Sequence, residues 1–176
     1  MPKDANQHFE KKSKENYLYF TLPMALNYQR NSYTLWESAL RLFYKNKLKY
    51  GYRNTFVELY DGDIRRLFDE LDNDVDKIRI FIQNQNKKKY PYLSRTKICN
   101  YWLYVIWQYT DKEYKNIENL TVASDNHIVK ATHRLELISD EELDKSDVQL
   151  IVIDRCNELF KDTKYKPIDI HSIIVI

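Results

Sequence analysis

Apolar residues return at helical spacing in block after block of this chain. Tyr17 to Arg30 is apolar on several faces and predicts a buried helix. Proline lacks an N–H and crowds the preceding turn, so this helix either starts at Pro23 or kinks there. Ser32 can cap a second helix, with Leu35, Trp36, Ala39, Leu40 and Phe43 at helical spacing. Lys45 to Asn54 reads as a basic loop. Thr55 to Tyr60 is a short apolar segment closed by the turn Asp61-Gly62-Asp63. Asp63 starts a helix carrying Ile64, Leu67, Phe68 and Leu71. Asp74 caps the next, with Val75, Ile78 and Ile82 inward and Phe81 a further candidate. The polar run Asn84 to Lys89 ends it. Tyr90-Pro91-Tyr92-Leu93 then interrupts the pattern, because the residue before a proline avoids the helical region.

Ser94 opens the most apolar block, with Ile98, Cys99, Tyr101, Trp102, Leu103, Val105, Ile106 and Trp107 on nearly all faces. Such a helix belongs at the centre of a core. Asp111 to Asn119 is a charged connection, and Ser124 or Asp125 begins another helix. Ser139-Asp140-Glu141-Glu142 has the form of a capping box. Val148, Ile151, Val152, Cys156, Leu159 and Phe160 fit a further helix. Pro167 suits the first turn of a last one, Ile168 to Ile176, which ends on apolar residues. The predicted class is all-α.

Composition supports that class. The 176 residues include only two glycines, Gly51 and Gly62, and four prolines, too few for many tight hairpins. The length suits one domain, or two small helical lobes sharing an interface. No apolar run approaches the roughly 20 residues a membrane helix needs, so no membrane partner is expected. Met1 to Lys14 is polar and unlike a secretory signal. Residues 1–16 are expected to form a flexible polar arm, with residues 17–176 as the folded domain. Cys99 and Cys156 lie within apparent helices and read as buried, reduced thiols, which fits a cytoplasmic protein. Without a four-cysteine cluster or a CxxC pair, no thiolate-held iron–sulfur cluster or zinc site is expected, nor any other cofactor.

The net charge of +2 does not announce a nucleic-acid binder. Its distribution does more. Lys45, Lys47, Lys49 and Arg53 form one basic stretch, and Lys87, Lys88 and Lys89 another, among fifteen tyrosines. Cations that meet phosphates beside rings that stack on bases suit nucleic acid. A solvated lysine face with tyrosines half in the core accounts for the same pattern.

The segment Ser124 to Leu135 carries the sharpest chemistry. Asp125 can cap the helix that follows, where the positive field of the N-terminus keeps a carboxylate ionised. Such a charge can stabilise a cation that develops beside it. A cap with no further role fits the same residues.

Four blocks, in order, resemble the helix–hairpin–helix DNA glycosylase superfamily, the endonuclease III-like group. Leu22-Pro23-Met24-Ala25-Leu26-Asn27-Tyr28-Gln29 resembles its first core helix, which ends in a glutamine that probes the duplex. Pro91 to Leu103 resembles the hairpin and following helix, with Lys97, Cys99 and Asn100 at the lysine and the small-residue-plus-asparagine step. Ser124 to Leu137 resembles the segment that opens on an aspartate and a histidine and continues with basic residues. Lys166 to Ile176, with Asp169 and His171, resembles the late helix. The hairpin of such enzymes is glycine-rich, because amides approach a phosphate closely. Here it reads Tyr92-Leu93-Ser94-Arg95-Thr96, without glycine.

The resemblance implies two helical lobes with a cleft between them and cleavage of a base–sugar bond in DNA, as in base-excision repair. Asp125 would stabilise the oxocarbenium-like sugar or activate water. Lys97 would be the amine of a lyase branch, attacking C1′ to form a Schiff base. Gln29, Tyr28, Asn100, His127, Arg95 and Lys130 are the candidates for substrate or nucleic-acid binding. Gln29 would fill the stack left by an extruded base. Trp36 and Trp102 could wall the base pocket or pack in the core. Two alternatives stand beside this reading. One is an N-glycosidase acting on a free modified nucleoside, which the glycine-free hairpin favours. The other is a non-catalytic helical nucleic-acid or protein binding module, with the apolar end Ile173 to Ile176 suited to burial in an interface with a protein partner or a second copy.

Overall fold

The computed structural model describes residues 9–26, 60–90 and 92–170, with the side chains of Ala25 and Leu26 set aside. The helix expected after Ser32, the basic loop 45–54, the segment 55–59 and the apolar end 171–176 lie outside these residues. So do Tyr28, Gln29, Trp36 and His171. The described α-helices are α1 (Lys14–Leu26), α2 (Arg65–Glu70), α3 (Val75–Ile80), α4 (Thr96–Tyr109), α5 (Asn126–Arg134), α6 (Asp140–Leu143) and α7 (Val148–Phe160). No strand occurs among the described residues, only an isolated bridge between Asp74 and Lys115. The all-α expectation holds there. The chain divides into two compact units, residues 1–116 and 117–176.

In the first unit, α1 begins earlier than its apolar pattern indicates and runs through Pro23. Its start is fixed by polar groups. Ser13 Oγ accepts the Asn16 N–H at 3.1 Å, and the Asn16 side chain donates to the Lys11 and Tyr109 carbonyls at 3.2 and 3.1 Å. Asn16 is fully buried. Lys14, Glu15 and Asn16, expected in a polar arm, belong to α1, and the buried amide ties Asn16 to the end of α4.

α4 is central, as its pattern predicts. Cys99, Asn100 and every residue from Trp102 to Ile106 are buried. Trp102 stacks on Phe68 at 5.4 Å, Tyr114 meets Phe68 edge-on at 5.8 Å, and Phe20 stacks on Tyr109 at 5.4 Å. These offset and edge contacts suit the ring quadrupoles. The buried indole N–H of Trp102 donates to Thr21 Oγ1 at 3.0 Å, and that hydroxyl donates to the Tyr17 carbonyl at 2.7 Å. Lys112 closes one side of the cluster. Its ammonium lies 5.6 Å from the Phe68 ring centre and donates to Asn73 Oδ1 at 2.8 Å and Asp69 Oδ1 at 3.1 Å. Trp102 is thus a core residue.

Asp74 caps α3 as expected, accepting the Asp76 and Lys77 N–H groups at 2.9 and 3.1 Å. Before it, Asp72 and Asn73 take left-handed φ values of 57° and 55°, which short polar side chains tolerate best. α3 passes into a π-turn, Phe81–Gln85. α4 starts at Thr96 rather than at Ser94. Ser94 is buried, and Arg95 takes the cap position in an extended conformation without a side-chain cap bond.

The second unit packs Val122, Ile128, Val129, Ile138, Val152, Cys156 and Ile170 into one core, with Leu143, Val148, Ile151, Ile153 and Phe160 against it. α7 and the capping box at Ser139 fall where the sequence places them. Pro167 opens a 3-10 turn, Pro167–Asp169. Cys99 and Cys156 are free and buried, and burial pushes their thiols up to about 12 and about 11. No described helix is long and apolar enough to cross a membrane.

Two outcomes follow. Thr21→Val keeps the side-chain shape but leaves the Trp102 indole N–H unpaired, and should cost about 1–3 kcal/mol in urea denaturation. A loss below about 0.5 kcal/mol would show that the bond does not hold the core. Neither thiol should react with a disulfide reagent at pH 8 in the native protein, and both should react once it is unfolded.

Candidate active site

Asp125 sets the geometry. It stands in an extended conformation just before α5, and its Oδ1 accepts the His127 N–H at 2.9 Å and the Ile128 N–H at 3.0 Å. These are amides that a helix start leaves without partners. The carboxylate is therefore fixed in position, half-buried, and lies in the field of the helix N-terminus. The helix behind it is anchored. Ile128 and Val129 are buried, and the Thr132 hydroxyl is turned inward among the Ile128 and Val129 carbonyls at 3.0 and 2.9 Å. The opposite face of α5 carries exposed His127, Lys130 and Arg134, spaced so that they share one side.

Tyr28 and Gln29 lie outside the described residues, and Arg95, Lys97 and Asn100 lie at the start of α4 or on it, in the first unit. Arg95 and Lys97 are exposed at its start. Asn100, expected to bind substrate, is 1% exposed and belongs to the interior. The residues thus fall into two sets, Arg95, Lys97 and Asn100 around α4 and Asp125, His127 and Lys130 on α5. Among the described residues, no group of His, Cys, Asp or Glu side chains is arranged to hold a metal ion.

A second feature of the second unit escaped the sequence reading. An open depression of about 680 Å³ is lined by His133, Arg134, Asp140, Glu142, Arg155 and the loop 136–139. His133 Nε2 lies 2.7 Å from Asp140 Oδ1, and Arg155 Nη2 donates to Glu142 Oε1 at 3.1 Å. Glu142 also completes the capping box, accepting the Ser139 N–H at 3.0 Å. That bond, and then Arg155, hold the Glu142 carboxyl below the usual carboxylate range. Glu136 turns the chain here with φ 58°. The available signal was a histidine in the last turn of one helix and a capping-box aspartate seven residues on. The aspartate is 95% exposed, so this pair is a surface contact of small energetic weight.

Compared with protein-family models, curated proteins and solved structures, the chain matches none.

The depressed Glu142 carboxyl gives a pH dependence. Its contribution to stability is complete above its unfolded value of roughly 4.3 and is lost as pH falls through the folded value. The gap in melting temperature between wild type and Glu142→Gln should therefore be constant near neutral pH and close as pH falls below about 4.3. A gap independent of pH would show that the charge of Glu142 is not what stabilises the α6 cap.

Proposed function

We propose that the protein is an N-glycosylase that hydrolyses a base–sugar bond in DNA, with Asp125 as the carboxylate facing the cationic sugar. The observation that carries this reading is the setting of Asp125, a fixed carboxylate bonded to two amides at a helix N-terminus. Cleavage of the bond between C1′ and the base nitrogen sends the electron pair away with the base and leaves positive charge on the sugar. A preorganised anion stabilises that charge without reorganising during the step. Water adds its oxygen to C1′, and the proton it loses balances the one the departing base takes up.

The four-block resemblance supports the same reading, and the two-lobed architecture with a cleft belongs to the proposal with it. Within it, His127 and Lys130 on the exposed face of α5 and Arg95 at the start of α4 are phosphate or substrate contacts. Tyr28 and Gln29 keep their place beside the extruded base. Lys97 is exposed, and an amine that forms a Schiff base needs burial or a nearby cation. Hydrolysis is therefore the primary reaction, and lyase chemistry is a branch that requires substrate to cover Lys97.

The test is release of free base from a panel of damaged oligonucleotides by the purified chain. Asparagine caps a helix as well as aspartate does, so Asp125→Asn should keep the fold. It should slow base release by about 10²–10³-fold with the melting temperature unchanged. Activity undiminished in that variant, or no release from any lesion, would overturn the reading. A borohydride-trapped adduct that disappears in Lys97→Ala would identify the lyase branch. Its absence alongside active base release leaves hydrolysis alone.

A further inference from the structure

Residues 81–110 contain no aspartate or glutamate, in a chain that averages one acid in about seven residues. The same stretch holds five cations, Lys87, Lys88, Lys89, Arg95 and Lys97. The remainder of the chain is therefore net negative, since the whole carries only +2.

All five cations are exposed. Backbone hydrogen bonds among the described residues tie down the chain around both groups. Tyr90 N–H donates to the Asn86 carbonyl at 3.2 Å, Ser94 N–H to Tyr90 at 2.8 Å and Cys99 N–H to Arg95 at 2.9 Å. Tyr90 and Leu93 are fully buried and Ser94 nearly so, which pins these turns to the core. Arg95 lies six residues after Lys89, so even a straight chain would place them within about 20 Å. Along that length, one strand of a duplex presents about six phosphates. Among the described residues, none of the exposed large apolar side chains lies between residues 86 and 97, so this stretch shows none of the apolar anchors that accompany basic residues at a membrane.

We infer that Lys87, Lys88 and Lys89, with Arg95 and Lys97, form a surface that holds the phosphate backbone of a nucleic acid, so that the chain's substrate is a polynucleotide rather than a free nucleoside. The second half of this statement rests on the glycosylase reading, and the binding surface does not. Counterion release sets the scale. Five phosphate contacts on a duplex give a log–log salt slope of about −4.5, a loss of about 500-fold in affinity between 50 and 200 mM salt.

The experiment is fluorescence anisotropy of the full chain with an undamaged, labelled duplex of 20 base pairs, titrated across that salt range. The triple variant Lys87→Gln, Lys88→Gln, Lys89→Gln should flatten the slope by about 2.7, leaving a loss of about 12-fold. A control with the same charge change at exposed Lys145, Lys161 and Lys164 should keep the wild-type slope. Equal flattening in both variants would reduce the effect to net charge and overturn the inference. So would an unchanged slope in the first variant, or equally tight binding to polyglutamate or to vesicles of anionic lipid. Binding that behaves as expected without base release leaves the surface standing and removes the glycosylase reading. Base release from a damaged duplex whose binding keeps the wild-type salt slope in the triple variant does the reverse.

Discussion

A carboxylate that accepts two backbone amides at one oxygen is fixed by the helix it caps, and it fixes that helix in return. Asp125 does this at the start of α5. The constraint sets where α5 begins, and therefore which of its residues point inward. Ile128, Val129 and Thr132 fall on the buried side, against the core that Val122, Ile138, Val152, Cys156 and Ile170 complete. A start displaced by one residue would rotate α5 by about 100° and could bring Lys130 into the place of Val129 in that core. The group that organises the second unit is thus the group proposed for the chemistry. The field of the helix N-terminus that makes it a good cap also favours negative charge there, as the proposed glycosylase requires.

The first unit rests on a different principle. Its centre is α4, in which Cys99, Asn100 and every residue from Trp102 to Ile106 are buried. α4 is satisfied by aromatic rings at 5–6 Å and by one buried hydrogen bond from Trp102 to Thr21. The cations of residues 87–97 stand outside this core on turns that Tyr90 and Leu93 hold in place. An apolar interior that absorbs the rings of an aromatic-rich segment leaves its lysines and arginines as the only charged groups on the surface of that segment.

Elements with strong periodicity and a chemical start signal were legible in the sequence. Asp74, Asp125 and Ser139 were readable as caps because a short oxygen-bearing side chain followed by an apolar period has few other uses. Elements set by long-range contacts were not. The start of α1 depends on Asn16 reaching the carbonyl of Tyr109, ninety-three residues away, and no local pattern records that bond. Arg95 caps α4 without a side-chain bond, so the serine beside it looked the better cap. Of the candidate site, Asp125 was legible through its cap chemistry. Asn100 is a buried polar residue whose place was hidden because a helix apolar on all faces gives no sign of which side a polar residue takes. The His133–Asp140 contact depends on the turn at Glu136, whose left-handed φ its residue type does not advertise.

The central claim is that the carboxylate of Asp125 meets positive charge on a sugar. Its most direct test compares the affinity of two duplexes, one carrying a cationic pyrrolidine in place of the sugar and one a neutral tetrahydrofuran. Transition-state mimics bind more tightly than ground-state ones by about 10²-fold or more. The account predicts that preference for the cationic duplex in the wild type and its disappearance in Asp125→Asn. Equal affinity for the two duplexes, or a preference that survives the substitution, would contradict it.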